Sequence, residues 1–198
     1  MILTTEQYND MYGVGDGVRA AVAMSPGLKD RMYRWPNNKL FYDLKNVDYS
    51  VKTKVRKTLY KLEKKLGGCI NFQERSSGDR VRIRNGGGCS ASLGYHAGWG
   101  GRMTLGAYCH RVRTIEHEFL HSLGIDHTQS RSDRDNFISI IWNNIDGYRR
   151  INFEKLTSGW STYNLPYDYH SVMHYGGYDF SNNGQPTIKT KVNIRKLN

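Results

Sequence analysis

A chain of 198 residues with 38% hydrophobic and 12% aromatic content carries enough apolar material for one sizeable core. It has no run near the roughly 18 apolar residues of a membrane helix. Its 29 basic and 18 acidic residues leave +11, a field suited to acidic partners, but no nucleic-acid motif accompanies it and the default reading is a solvated face. Met1-Ile2-Leu3-Thr4 lacks the basic start and apolar run of a secretory leader, so the protein is cytosolic or the sequence begins after its leader.

In chain order, residues 1–34 mix turn signals (Gly13, Gly15, Gly17, Ser25-Pro26-Gly27) with a short apolar stretch, Val18 to Met24, and read as an extension outside the core. Residues 35–198 are the main domain. Trp35-Pro36-Asn37-Asn38 predicts a turn and Leu40-Phe41-Tyr42 the start of a strand. Val51, Val55, Leu59, Leu62 and Leu66 recur at three and four, which predicts an amphipathic helix over 49–66 with a lysine- and arginine-rich outer face, ended by Gly67-Gly68. Strands are predicted at Cys69–Phe72, at Arg80–Arg84, where apolar and basic residues alternate strictly, and at Met103–Leu105. Between the last two, residues 86–101 hold seven glycines and read as a long flexible loop. A second helix is predicted over 112–123. Beyond it periodicity weakens: Phe137–Trp142 fits helix or strand, and Tyr148–Leu156 a short helix.

That second helix carries His117-Glu118-Phe119-Leu120-His121-Ser122-Leu123-Gly124-Ile125-Asp126-His127. Histidines four apart share one helical face, one turn apart, and can reach one divalent metal. Glu118 lies beside them, where a carboxylate can take a proton from a water. Gly124 suits the left-handed residue that ends a helix, so the chain turns back and brings round His127 as a third ligand. Three nitrogens with one open position make a catalytic zinc site; a structural one more often recruits cysteine, and none lies here. Cys69, Cys89 and Cys109 are too few for a disulfide scaffold and read as one pair plus one.

With these residues in view, the chain resembles the astacin family of zinc endopeptidases in the metzincin clan, from about Trp35 to Lys191. The zinc motif, Arg131-Ser132-Asp133-Arg134-Asp135-Asn136, Tyr167–Tyr175 with its Ser171-Val172-Met173-His174-Tyr175, and the three cysteines carry the likeness. The resemblance implies an α+β, metzincin-like fold: an upper lobe with a twisted mixed sheet and two long helices, an irregular lower lobe after Gly124, and a zinc cleft between them. It implies one Zn²⁺ held by His117, His121 and His127. Met173 would lie in a tight turn beneath it, and the Tyr175 phenol would bond the oxyanion. His170 and His174 would make structural hydrogen bonds. It pairs Cys89 with Cys109, and gives Cys69 a partner near the C-terminus, where this sequence holds no cysteine.

The implied activity is that of a secreted zinc endopeptidase, a monomer made as a zymogen, acting on protein or peptide substrates, with no nucleic-acid partner and no membrane span. Glu118 is then the general base. The alternative is a non-catalytic binding protein on the same scaffold, which an intact Glu118 argues against. Substrate would pair main chain to main chain along an edge strand, for which the glycine-rich Trp99-Gly100-Gly101-Arg102 is the candidate. Two departures stand out: Thr128 replaces the family's usual glutamate, which anchors the mature N-terminus, and Gly15-Asp16 lacks the phenylalanine of the family's zinc-blocking aspartate motif.

Overall fold

Buried and open residues alternate along Lys39–Asn46, strand β1, giving it one wet and one dry face. Leu40, Tyr42 and Leu44 are buried, while Lys39 and Lys45 are exposed. The computed structural model describes residues 25–192, which divide into a first unit of residues 28–125 and a second of residues 25–27 with 126–192.

In the first unit β1 pairs in parallel with β2 (Asn71–Glu74) and with β3 (Arg80–Arg84). β3 pairs in parallel with β5 (Gly100–Leu105), which pairs in turn with the antiparallel β4 (Cys89–Ala91). The order is β2-β1-β3-β5-β4, a mixed sheet in an α+β unit. Its dry face adds Val81, Ile83, Met103 and Leu105 to the β1 residues.

Two helices complete this core. α1 (Tyr49–Lys65) buries Val51, Val55, Leu59 and Leu62 on the predicted stripe. It stops where Gly67 and Gly68 take φ of 66° and 74°, and the Gly68 N–H returns to the Glu63 carbonyl. α2 (Val112–Ser122) buries Ile115 and Phe119, whose ring meets those of Tyr42 and Phe72 edge-on at 5.8 Å each.

Three expectations change. The strand expected at Cys69–Phe72 starts two residues later, at Asn71, because the αL residues Gly67 and Gly68 need room to turn the chain. Residues 86–101 are not a plain flexible loop: they include β4, a His96–Gly100 bridge, and Cys89, which is bonded to Cys109. The Trp99–Arg102 stretch is not a sheet edge. It is flanked by β3 on one side, and on the other Ser92 N–H donates to the Arg102 carbonyl. Gly100 does permit a close backbone approach, but to Arg80: a Cβ there would lie 2.2 Å from the Arg80 nitrogen. The edge strand on that side is β4, and it packs against α2.

Residues 28–35, read from sequence mostly as extension, are tied to the end of α2. Leu28 N–H donates to the Gly124 carbonyl and Trp35 Nε1–H to that of Ser122, at 2.7 Å. The expected apolar stretch from Val18 to Met24, and Asp16, lie outside the described residues.

The second unit is irregular, built from short 3₁₀ turns and one antiparallel pair, β6 (Ile138–Ile140) with β7 (Ile188–Thr190). Ile138 thus settles the ambiguous Phe137–Trp142 stretch as a strand followed by a 3₁₀ turn, and the helix expected over 148–156 is a 3₁₀ segment, Gly147–Phe153. Ile138, Ile145, Phe153, Tyr167 and Ile188 form its core. With so few ladders, two arginines satisfy loop carbonyls. Arg131, 1% exposed, grips Asp133 with two nitrogens and donates to the carbonyls of Leu165 and Pro166. Arg134 donates to the carbonyls of Gln129 and Phe153.

Candidate metal centre

The turn-to-turn spacing on α2 places the rings of His117 and His121 with centroids 4.6 Å apart, edge to face. Gly124 then takes φ 90°, while the N–H groups of Gly124 and Ile125 return to the carbonyls of His121 and Leu120. That closure ends the helix and releases His127 three residues on. One ligand atom from each of His117, His121 and His127 lies within 4.8 Å of the other two. Neutral imidazoles in that number are a donor set that suits zinc.

Neighbouring groups fix which ring nitrogen is available. His121 Nδ1 lies 2.8 Å from the Ile125 carbonyl, which can only accept, so Nδ1 carries the hydrogen and Nε2 keeps the lone pair. Asp126 Oδ1 lies 3.1 Å from His127 Nδ1 and does the same there. Sequence reasoning passed over Asp126, although a carboxylate next to a ligand histidine was a readable signal.

Glu118 is 4% exposed, and its Oε2 has no hydrogen-bond partner among the described residues. Such an atom is costly unless something meets it. Burial pushes the carboxyl up to about 7.

Tyr175 follows the tight turn Ser171–His174 and packs its ring on His127, with centroids 4.6 Å apart, and on Phe153 and Phe180. Its backbone N–H is held by Gln129 Oε1. Burial pushes its hydroxyl pKa upward, so it stays a protonated donor. Met173 is fully buried, and its carbonyl accepts the Thr128 N–H, which couples the turn to the residue after His127. His174 makes two hydrogen bonds, to the Tyr167 hydroxyl and the Tyr175 carbonyl. His170 is exposed, and Asp168 holds its backbone N–H rather than its ring. His96 stacks on Trp99, and His110 lies near the Leu105 carbonyl.

Thr128, 0% exposed, takes up an arrangement the sequence did not disclose. Its hydroxyl lies 2.6 Å from that of Ser25, which is 3.3 Å from that of Ser171. Asp126 N–H donates to the Pro26 carbonyl. Three neutral hydroxyls thus brace the segment that carries His127. Ser25 lies inside the stretch read as extension, and a lone serine in a turn gave no signal.

The profile of the peptidase family described as Astacin matches residues 27–197. The chain belongs to the astacin family. Among relatives, zinc metalloproteinase nas-25 of Caenorhabditis elegans is 40% identical over 158 residues, covering 78% of this chain and 39% of the relative. Human meprin A subunit beta is 35% identical over 162 residues, covering 81% of this chain and 23% of the relative. The chain therefore spans well under half the length of these two proteins. Among solved structures, high choriolytic enzyme 1, a hatching enzyme zinc-protease from Oryzias latipes, superposes with a TM-score of 0.74 at 29% identity, covering 83% of this chain and 82% of that one. The astacin fold is thus present in this chain. Among the described residues no helix is long and apolar enough to cross a membrane.

Proposed function

We propose that this astacin-family chain is a zinc-dependent endopeptidase in which His117, His121 and His127 hold the metal, Glu118 is the general base and Tyr175 is the oxyanion donor. The observation that carries the reading is the three-histidine group alongside a buried Glu118 carboxylate with an unpartnered oxygen. When bound there, zinc supplies a Lewis acid that polarises the peptide carbonyl and acidifies a water.

The chain's own residues do the rest. Glu118 Oε2 accepts the proton of the attacking water and passes it to the leaving amine; a carboxyl raised by burial holds that proton more readily than an exposed one. The Tyr175 hydroxyl donates a hydrogen bond to the oxygen on which charge develops. Asp126 and the Ile125 carbonyl orient the His127 and His121 rings. Substrate pairs as an added strand along β4, the edge strand that packs against the helix bearing His117 and Glu118. The Cys89–Cys109 disulfide favours an oxidising, extracellular setting.

Metal content and hydrolysis measured together test this. The purified chain is expected to hold about one zinc and cleave casein, to lose both with a chelator, and to regain both with zinc. His121→Ala should lose the metal, since two ligands bind zinc far more weakly than three. Full zinc occupancy in that variant would refute the ligand set.

A further inference from the structure

The wet face of the five-stranded sheet is strongly basic. Lys39 and Lys45 on β1, Arg80, Arg82 and Arg84 on β3, and Arg102 on β5 alternate with buried neighbours, so all six share the face opposite the helices. The register puts Arg82 directly beside Arg102 and Arg84 beside Thr104. Two carboxylates border the row, and Asp43 stands opposite Arg82 in the strand register. Asp43 binds Arg80 at 3.0 Å, and Asp79 accepts from the Tyr95 hydroxyl and the Gly98 N–H. Among the described residues Arg82, Arg84 and Arg102 have no ion pair; Arg82 donates to the Trp99 carbonyl, and Arg102 lies over the Trp99 ring.

Like charges side by side on neighbouring strands destabilise a sheet, and stability alone would favour alternating signs here. Alternate residues on a strand repeat at about 6.6 Å and neighbouring strands at about 4.8 Å. The row Arg80–Arg82–Arg84 therefore runs about 13 Å, longer than a single phosphate or sulfate and suited to a chain of anions. Guanidinium groups bind oxyanions with two nitrogens and remain charged at any working pH.

We infer that this basic sheet face is a docking surface for an extended sulfated polysaccharide, separate from the metal centre. A single-stranded nucleic acid would need a series of free aromatic platforms. Here the aromatics at the row are occupied: Trp99 is stacked on His96 at 4.8 Å, and Phe41, on the same face of β1, lies under the Arg75 guanidinium at 3.5 Å. The disulfide on β4 favours an oxidising compartment, where sulfated glycans are the abundant polyanions. Docking would hold the enzyme on a matrix while leaving edge strand β4 to the substrate.

Titration calorimetry with a heparin octasaccharide on the zinc-loaded chain tests this without reading activity. The parent should bind, with affinity falling as salt rises. Arg82→Gln/Arg84→Gln/Arg102→Gln should bind at least about tenfold more weakly, with the slope of log K against log salt shallower by about two, near 0.7–0.9 per lost contact. Lys54→Gln/Lys57→Gln/Lys61→Gln, on the exposed side of α1, removes the same charge and should bind within twofold of the parent. Arg84→Glu alone, expected to bind about fivefold more weakly, keeps the test open should the triple variant not fold. The inference is overturned if the parent does not bind, if the arginine variants bind like it, or if the helix variant weakens equally. Tighter binding to phosphatidylserine vesicles or to a single-stranded 20-nucleotide DNA would also overturn it.

Discussion

Removing the Tyr175 hydroxyl while keeping its ring separates packing from chemistry. The ring sits among His127, Phe153 and Phe180, and Tyr175→Phe preserves that contact. Loss of one oxyanion donor typically costs about 3–4 kcal/mol of transition-state stabilisation. Steady-state kinetics should therefore show kcat lower by about 10²–10³, KM within a few-fold and zinc unchanged. A kcat within twofold of the parent would return Tyr175 to the aromatic core. Thr128 makes a gentler case. Thr128→Val keeps shape and burial but leaves the Ser25 hydroxyl a partner short, which should lower stability by about 1–2 kcal/mol. Thr128→Ser should restore most of that in urea unfolding, and equal midpoints for the valine variant and the parent would show that the hydroxyl chain does not brace this segment.

At the scale of elements, α2 and its ending organise the centre. Gly124 at φ 90° is the hinge between His121 and His127. An added Cβ would meet Leu28 Cδ1 at 3.4 Å, which is ordinary contact, so the cost of Gly124→Ala is conformational, about 1–2 kcal/mol. A thermal melt should fall by several degrees, whereas an unchanged midpoint would mean that the left-handed turn is not required. In the second unit Arg131 holds Asp133 and two loop carbonyls while almost wholly buried. Arg131→Ala should cost about 3 kcal/mol or more, and urea unfolding with a loss below 1 kcal/mol would show that these loops hold without it.

Across the whole molecule, what could be read from the chain was what is local or periodic. The α1 stripe, the alternation in Arg80–Arg84 and the histidine spacing each repeat with the period of their element. The astacin likeness anticipated the Cys89–Cys109 pair, now seen at a Cα separation of 5.6 Å. Partners brought together from far along the chain gave no such signal. The Gly100 approach to Arg80, the Trp35 bond to Ser122 and the Ser25–Thr128 contact span 20, 87 and 103 residues. β4 was missed because three residues in a glycine-rich stretch show no period, and the edge strand was consequently misplaced. Non-reducing peptide mapping of protein made under oxidising conditions should recover a Cys89–Cys109 peptide. A Cys69–Cys89 or Cys69–Cys109 peptide would contradict the pairing.

The assignment of Glu118 as general base bears most of the mechanism, and Glu118→Gln tests it most directly because it removes the proton acceptor while keeping the side chain's size. Zinc content and the rate of peptide hydrolysis should be measured on the same preparation. The expected result is about one zinc per chain, a parent-like melt, and a rate lower by about 10²–10⁴ or more, the usual share of general acid–base catalysis. A zinc-loaded Glu118→Gln chain that cleaves peptide at the parental rate would contradict it.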